Sequence, residues 1–95
     1  MLGLAFEWDP KKEKANRRKH KIGFADASTV FGDPLSITIP DPDRFSGEER
    51  FLIIGMSREQ KLLVVVHTMR GVRTRLISAC AATTHERREY EEAAS

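Results

Sequence analysis

Ninety-five residues, 40% of them apolar and 32% charged, suit one small folded domain and exclude a second within this chain. The longest apolar run, Leu62 to Val66, falls far short of the ~20 residues of a membrane-spanning helix, no secretory signal opens the chain, and the lone Cys80 cannot form an internal disulfide or a cysteine-based zinc site; a cytoplasmic protein without membrane contact is expected. Sixteen basic and fourteen acidic residues leave a net +2, which conceals two basic regions, one from Lys11 to Lys21 and one formed by Arg70, Arg73, Arg75, Arg87 and Arg88.

Leu2 to Trp8 reads as a short first strand. Asp9 followed by Pro10 marks a helix start, since the Asp side chain can accept an orphan backbone donor and proline suits the first helical position. That helix runs to about His20 and carries Lys11, Lys12, Lys14, Arg17, Arg18 and Lys19; its only clear apolar position is Ala15, so its core contact should be narrow. Gly23 breaks it. Phe24, Ala27, Val30 and Phe31 recur at helical spacing and predict a second short helix ending at Gly32. Leu35, Ile37 and Ile39 alternate with polar residues in a half-buried strand that Pro40 ends, and 41–49 is a polar loop. Phe51 to Met56, Leu62 to Thr68 and Arg73 to Ala79 form a meander whose middle strand, lacking alternation, should be central and covered on both faces. Thr83 with Glu86 is a capping box, opening a helix that carries Arg87, Arg88 and Tyr90. The order β-α-α-β-β-β-β-α predicts an α+β fold, an antiparallel sheet with helices packed on one face.

Basic patches favour polyanions, although a charged helix can equally be a solvated face. Asp41, Asp43, Glu48 and Glu49 lack the spacing of a calcium loop, and His20, His67 and His85 are dispersed, so neither a metal site nor a cofactor is expected. No phosphate-binding glycine loop, G-x-S-x-G or H-E-x-x-H pattern is present. The remaining histidine, arginine, glutamate and tyrosine residues suit metal-free chemistry on a phosphodiester. RNA carries its own nucleophile, the 2′-hydroxyl; cleavage needs a proton acceptor, a proton donor and cations around the developing charge. Bland readings stand beside each candidate: His67 as a core histidine, His20 as the cation closing its helix, Tyr90 as core, Glu86 as a cap. Spacing leaves a ribonuclease as one option among several.

Taken together, Phe6-Glu7-Trp8-Asp9-Pro10-Lys11-Lys12, Asn16, Lys19-His20, Phe24, Ala27 and Val30-Phe31 resemble the start of BrnT-family toxins, the ribonuclease partners of BrnA antitoxins in type II toxin-antitoxin pairs. Glu49-Arg50-Phe51, Ile54-Gly55, Leu63 to Thr68, Arg73, Arg75, Ile77-Ser78-Ala79, Ala82-Thr83, Glu86-Arg87 and Tyr90 resemble that family's second half. The resemblance implies a RelE-like fold and metal-independent RNA cleavage that arrests translation. It also implies a complex with a BrnA-like antitoxin, whose ribbon-helix-helix segment contacts operator DNA on behalf of the pair. Lys11, Lys12, Lys14, Arg17, Arg18 and Lys19 are then candidates for binding RNA or an acidic antitoxin surface.

The catalytic candidates are His20, His67, Arg73, Arg75, Cys80, Glu86, Arg87 and Tyr90. The arginines would hold phosphate, and a histidine or Glu86 would move protons. One position departs from the family pattern, Cys80, where an arginine is typical. A small thiol lacks the fixed charge and five donors of arginine, so an attenuated toxin is expected; a nucleophilic role for Cys80 has no motif around it in support. Alternation puts Arg73 and Arg75 on one face with Ile77 and position 80 on the other, unless a bulge intervenes. The rival from another class is a binding module without catalysis, whose arginines only position phosphates.

Overall fold

The computed structural model describes residues 5–42 and 49–94. Its nine elements are β1 (Ala5–Glu7), α1 (Pro10–His20), α2 (Phe24–Ser28), a 3-10 turn (Thr29–Gly32), β2 (Ile37–Pro40), β3 (Phe51–Met56), β4 (Leu62–Arg70), β5 (Arg73–Ala81) and α3 (Thr84–Ala94). The strands form one sheet in the order β1-β5-β4-β3-β2. β2 to β5 pair antiparallel, as the sequence predicts, whereas β1 joins the far edge parallel to β5. The chain leaves β1 through α1 and α2 before entering the sheet at β2, the crossover that a parallel addition requires.

β4 is the middle strand, and its unbroken apolar run supplies both faces. Leu63 and Val65 join Ile22, Phe24, Ala27, Val30 and Leu76 in one buried cluster, beneath α1, α2 and the 3-10 turn. Leu62 and Val64 point the other way, into a second cluster with Ile54 and Tyr90 of α3. Helices therefore cover both faces, which corrects the one-sided packing expected from sequence: a strand apolar on both sides needs two covers. α3 is a slight cover, since Tyr90 is its one buried residue. Gly55 admits close packing on the first face, because a Cβ there would lie 3.2 Å from the Val30 carbonyl and 3.1 Å from the Ser36 Cβ.

α1 begins and ends where its sequence directs. Asp9 accepts a hydrogen bond from the Lys11 N–H at 2.9 Å, Pro10 takes the first turn, and Lys21 closes the helix in the left-handed conformation with φ 63°. Its buried residue, however, is Asn16, while Ala15 is exposed. The Asn16 amide donates to the carbonyls of Ile22 and Ala79, both at 2.9 Å, and its oxygen accepts from the Ala79 N–H at 3.0 Å. β1 is too short to cover the whole edge of β5, and this side chain takes the place of a neighbouring strand at Ala79. Helical apolar periodicity could not signal a contact made by an amide.

Other departures are local. The second helix is α-helical only to Ser28 and tightens into the 3-10 turn, with the Thr29 hydroxyl donating to the Asp26 carbonyl at 2.6 Å. β2 starts at Ile37 and ends on Pro40; Leu35 (50%) and Ile39 (38%) are exposed, leaving Ile37 to pack. β2 is an edge strand, where proline is tolerated and one apolar contact suffices. β4 and β5 run on to Arg70 and Ala81. The Thr83–Glu86 capping box is present in both directions, at 2.8 and 3.2 Å. Leu2 to Leu4 of the predicted first strand, and Asp43 to Glu48 of the predicted loop, lie outside the described residues.

Candidate functional site

The site is organised by a bulge in β5. In the β4–β5 ladder Val66 pairs with Ser78 but His67 pairs with Leu76, so Ile77 is the extra residue. The side-chain sequence shifts by one across that point. Arg73, Arg75, Ser78 and Cys80 consequently share the α3 face, and Thr74, Leu76 and Ala79 share the other. The bulge that the alternation argument required is present. Arg75 and Cys80 sit four ladder positions apart, about 13 Å at strand spacing, with Ser78 between them.

β1 adds a residue that the sequence marks only as part of a motif and not as a site candidate. Glu7 lies opposite Arg75 in the parallel register, and its carboxylate accepts a hydrogen bond from Arg75 Nη1 at 2.7 Å. Its other oxygen is 3.8 Å from Arg73 Nη1. One partly buried carboxylate thus anchors two arginines, each of which keeps further N–H donors for a phosphate. The cue available in sequence was Phe6 inward and Glu7 outward on a strand; the pairing with a strand 68 positions away was not legible.

At the other end of the row Cys80 is partly buried against the Leu62–Val64–Tyr90 cluster. Burial pushes its thiol up, and the Glu86 charge pushes the same way. The thiol therefore stays protonated at neutral pH, the reverse of an activated nucleophile. Glu86 spends its carboxylate on the Thr83 N–H of its own helix cap. Tyr90 is buried, its hydroxyl donating to Asp33 Oδ2 at 2.6 Å. That hydrogen bond, with burial and the Asp33 charge added, pushes the phenol up to about 12. Burial alone would raise Asp33, but the Met56 N–H, the Tyr90 hydroxyl and the Leu35 N–H together hold it below the ordinary carboxylate range. Tyr90 is thus a tie between α3 and the end of the 3-10 turn.

The histidines part company. His67 lies on the face opposite Arg73 and Arg75, 5% exposed, edge-on to Phe31 at 4.8 Å and 5.9 Å from the Phe51 ring. Burial pushes its pKa down, and the Val65 carbonyl at 3.3 Å only partly opposes this. It is neutral at pH 7 and walled off from the arginines. His20 ends α1 half-buried and lines two grooves, one with Lys12, Lys19, Ile77 and Ser78, the other with Lys21, Lys61 and Arg87. His85 is exposed beside Glu89 at 3.1 Å.

The basic run on α1 is also divided. Lys12 and Lys19 face the β5 bulge. Lys14, Arg17 and Arg18 wall a separate groove with Glu13, whose carboxylate lies 3.9 Å from Arg17 and accepts from the Phe24 N–H at 3.2 Å. The structure therefore gathers Arg73, Arg75, Cys80 and Glu86 on the α3 face and brings His20 and Arg87 to a shared groove, while His67 and Tyr90 stand apart. No group of three or more His, Cys, Asp or Glu among the described residues is placed to hold a metal ion.

Over residues 8–86 the sequence matches the family described as the ribonuclease toxin, BrnT, of type II toxin-antitoxin systems. The crystal structure of the Brucella abortus ribonuclease toxin, BrnT, has a similar fold, with a TM-score of 0.62 at 21% identity over 86% of this chain and 100% of that one. At such identity the likeness carries the fold, α+β with a five-stranded sheet. Among curated proteins none matches. No helix among the described residues is long and apolar enough to cross a membrane.

Proposed function

From the premise that this chain belongs to the BrnT family of ribonuclease toxins of type II toxin-antitoxin systems, we propose that it is an endoribonuclease that cuts RNA without a metal ion and thereby arrests translation. The observation that carries the reading is the Ile77 bulge, which aligns Arg73 and Arg75 with Ser78 and Cys80 on one accessible face beside α1 and α3.

In this reading Arg73 and Arg75 grip the non-bridging oxygens of the scissile phosphate. The adjacent 2′-hydroxyl attacks phosphorus, its proton passes to a base, and the 5′-oxygen leaves with a proton, giving a 2′,3′-cyclic phosphate and a 5′-hydroxyl. His20 is the solvent-reachable imidazole beside Ser78 and the natural proton carrier. Arg87 adds positive charge at the neighbouring groove. Glu86, tied into its cap, and buried His67 and Tyr90 act through the fold. Cys80 ends the row without charge, where an arginine would donate to phosphate, so the enzyme is attenuated; losing one such donor costs about 100 to 1000-fold in rate.

The partner is a BrnA-like antitoxin whose ribbon-helix-helix segment binds operator DNA. It meets the toxin in the cytoplasm and covers part of the basic surface of this single RelE-like domain. A second reading, an RNA-binding module without catalysis, is favoured by the uncharged thiol at position 80. Incubating the purified protein with RNA in EDTA separates them. Fragments ending in 2′,3′-cyclic phosphate support the ribonuclease; intact RNA bound in a salt-sensitive way supports the module.

A further inference from the structure

His20, Lys21, Lys61 and Arg87 line one groove of about 360 Å³, between the end of α1, the β3–β4 turn and the start of α3. These residues come from three separate parts of the chain, so no single basic run in the sequence accounts for the cluster. No Asp or Glu lines the groove, and its walls include the apolar Leu62 and Ala82. Two of the cations sit on defined backbone: Lys21 is the left-handed cap of α1, its N–H bonded to the Arg17 carbonyl, and the Lys61 carbonyl accepts from the Ser57 N–H at 2.8 Å. The α1 dipole explains basic residues in its own last turn. It does not explain Lys61 and Arg87, which belong to other elements. Their acidic neighbours, Glu59 at 3.5 Å and Glu91 at 4.0 Å, form exposed pairs worth no more than about 1 kcal/mol, which a phosphate can displace.

His20 also belongs to the groove of about 230 Å³ that holds Lys12, Lys19 and Ser78. The two grooves meet at this residue. Since Ser78 stands two ladder positions from Arg75, they extend the arginine face into a strip around the end of α1.

Resting on the reading of the protein as one that acts on RNA, we infer that this strip is a track for single-stranded RNA leading away from the scissile phosphate, with Lys21, Lys61 and Arg87 forming a remote phosphate subsite. A strip that turns around a helix end, on a molecule 34 Å in its longest dimension, suits a flexible strand better than a duplex, whose persistence length (about 150 base pairs for DNA) far exceeds it. Exposed Ala81 and half-buried Ala82 offer a small apolar face to a ribose rather than another charge. Continuity with Arg73 and Arg75 favours the substrate over an acidic polypeptide.

The test uses a labelled 2′-O-methyl RNA of about twelve nucleotides, which cannot be cleaved, so that binding is read whether or not the protein is a ribonuclease. Anisotropy titrations at several salt concentrations compare the full chain with Lys61→Gln, Arg87→Gln and the double variant. Arg58→Gln in the same turn and Arg88→Gln on the same helix serve as charge-matched controls. Each groove variant is expected to weaken binding about threefold to fivefold, the double variant to lower the salt slope by about 1.4, and the controls to change affinity less than about twofold. Control variants as damaging as groove variants would overturn the track in favour of diffuse charge. So would no binding by the wild type, or unchanged RNA affinity with weakened capture of an acidic antitoxin peptide. Groove-dependent binding without cleavage of natural RNA would leave the track standing and remove the catalytic reading.

Discussion

Glu7 and Arg75 are register partners across the parallel β1–β5 pairing, and their side chains meet at 2.7 Å. β1 is only three residues long, so its contribution to the site is this carboxylate. Arg73 and Arg75 are long, rotamer-rich side chains, and a shared anchor holds them where a phosphate would otherwise have to order them. Glu7→Gln is expected to leave the melting behaviour nearly unchanged, since partly exposed pairs add about 1 kcal/mol or less. RNA cleavage should fall about tenfold to a hundredfold, through kcat rather than KM, with Glu7→Asp partly restoring it. Steady-state cleavage beside a thermal melt decides. A loss confined to the melt would assign Glu7 to the fold alone.

Asn16 closes the β5 edge with three hydrogen bonds, to Ala79 N–H, Ala79 carbonyl and Ile22 carbonyl. Asn16→Leu keeps the branched shape at a larger volume and removes every one of them, leaving a buried N–H and two carbonyls unpaired at about 1 to 3 kcal/mol each. Urea denaturation is expected to show a loss of about 3 kcal/mol, with hydrogen exchange at the Ala79 amide accelerated first. Asn16→Asp retains the acceptor but turns a carboxylate oxygen toward the Ile22 and Ala79 carbonyls, and should lose at least as much.

Much of this architecture was legible because local signals agreed with one another. Asp9-Pro10 marked the start of α1, Thr83 with Glu86 marked α3, and the unbroken Leu62–Val66 run marked the central strand. What escaped were contacts that carry no local signal. Asn16 is polar on a helix almost devoid of apolar residues, and Glu7 finds its partner 68 positions away. The site was half legible for the same reason. Alternation places Arg73 and Arg75 on one face, but the Ile77 bulge that puts Cys80 on that same face arises from β4–β5 pairing. The sequence leaves His67 open between a core histidine and a proton carrier, and the packing of Phe31 and Phe51 around it shows the buried setting.

Cys80 supplies the most direct test of attenuation. An arginine there would start from a partly buried position near Glu86, whose charge already reaches the thiol, and would extend past the first turn of α3 toward solvent. Cys80→Arg is expected to raise RNA cleavage about 100-fold and to deepen growth arrest on expression. A moderate loss of stability should accompany it, because the position adjoins apolar Leu62 and Val64. Stable, folded Cys80→Arg protein with unchanged cleavage would remove the attenuation.

His67 predicts a pH effect on stability that is separate from activity. Its folded pKa lies below the ordinary value of 6.5, chiefly through burial. Between the folded and unfolded values the unfolded chain binds the proton and the native one does not, so stability rises with pH there. The contribution of the neutral ring is complete above about pH 6.5 and is lost as the pH falls from that value through the folded pKa. His67→Phe keeps an aromatic ring against Phe31 and Phe51 and cannot be protonated. Chemical denaturation at pH 7.5 and pH 5 is expected to show the wild type losing more stability than the variant over that interval. Cleavage by the folded variant at pH 7.5 tests the placement itself. Activity within about twofold of wild type fits a core residue, whereas a loss of 100-fold or more, typical of a missing general acid or base, would return His67 to the chemistry.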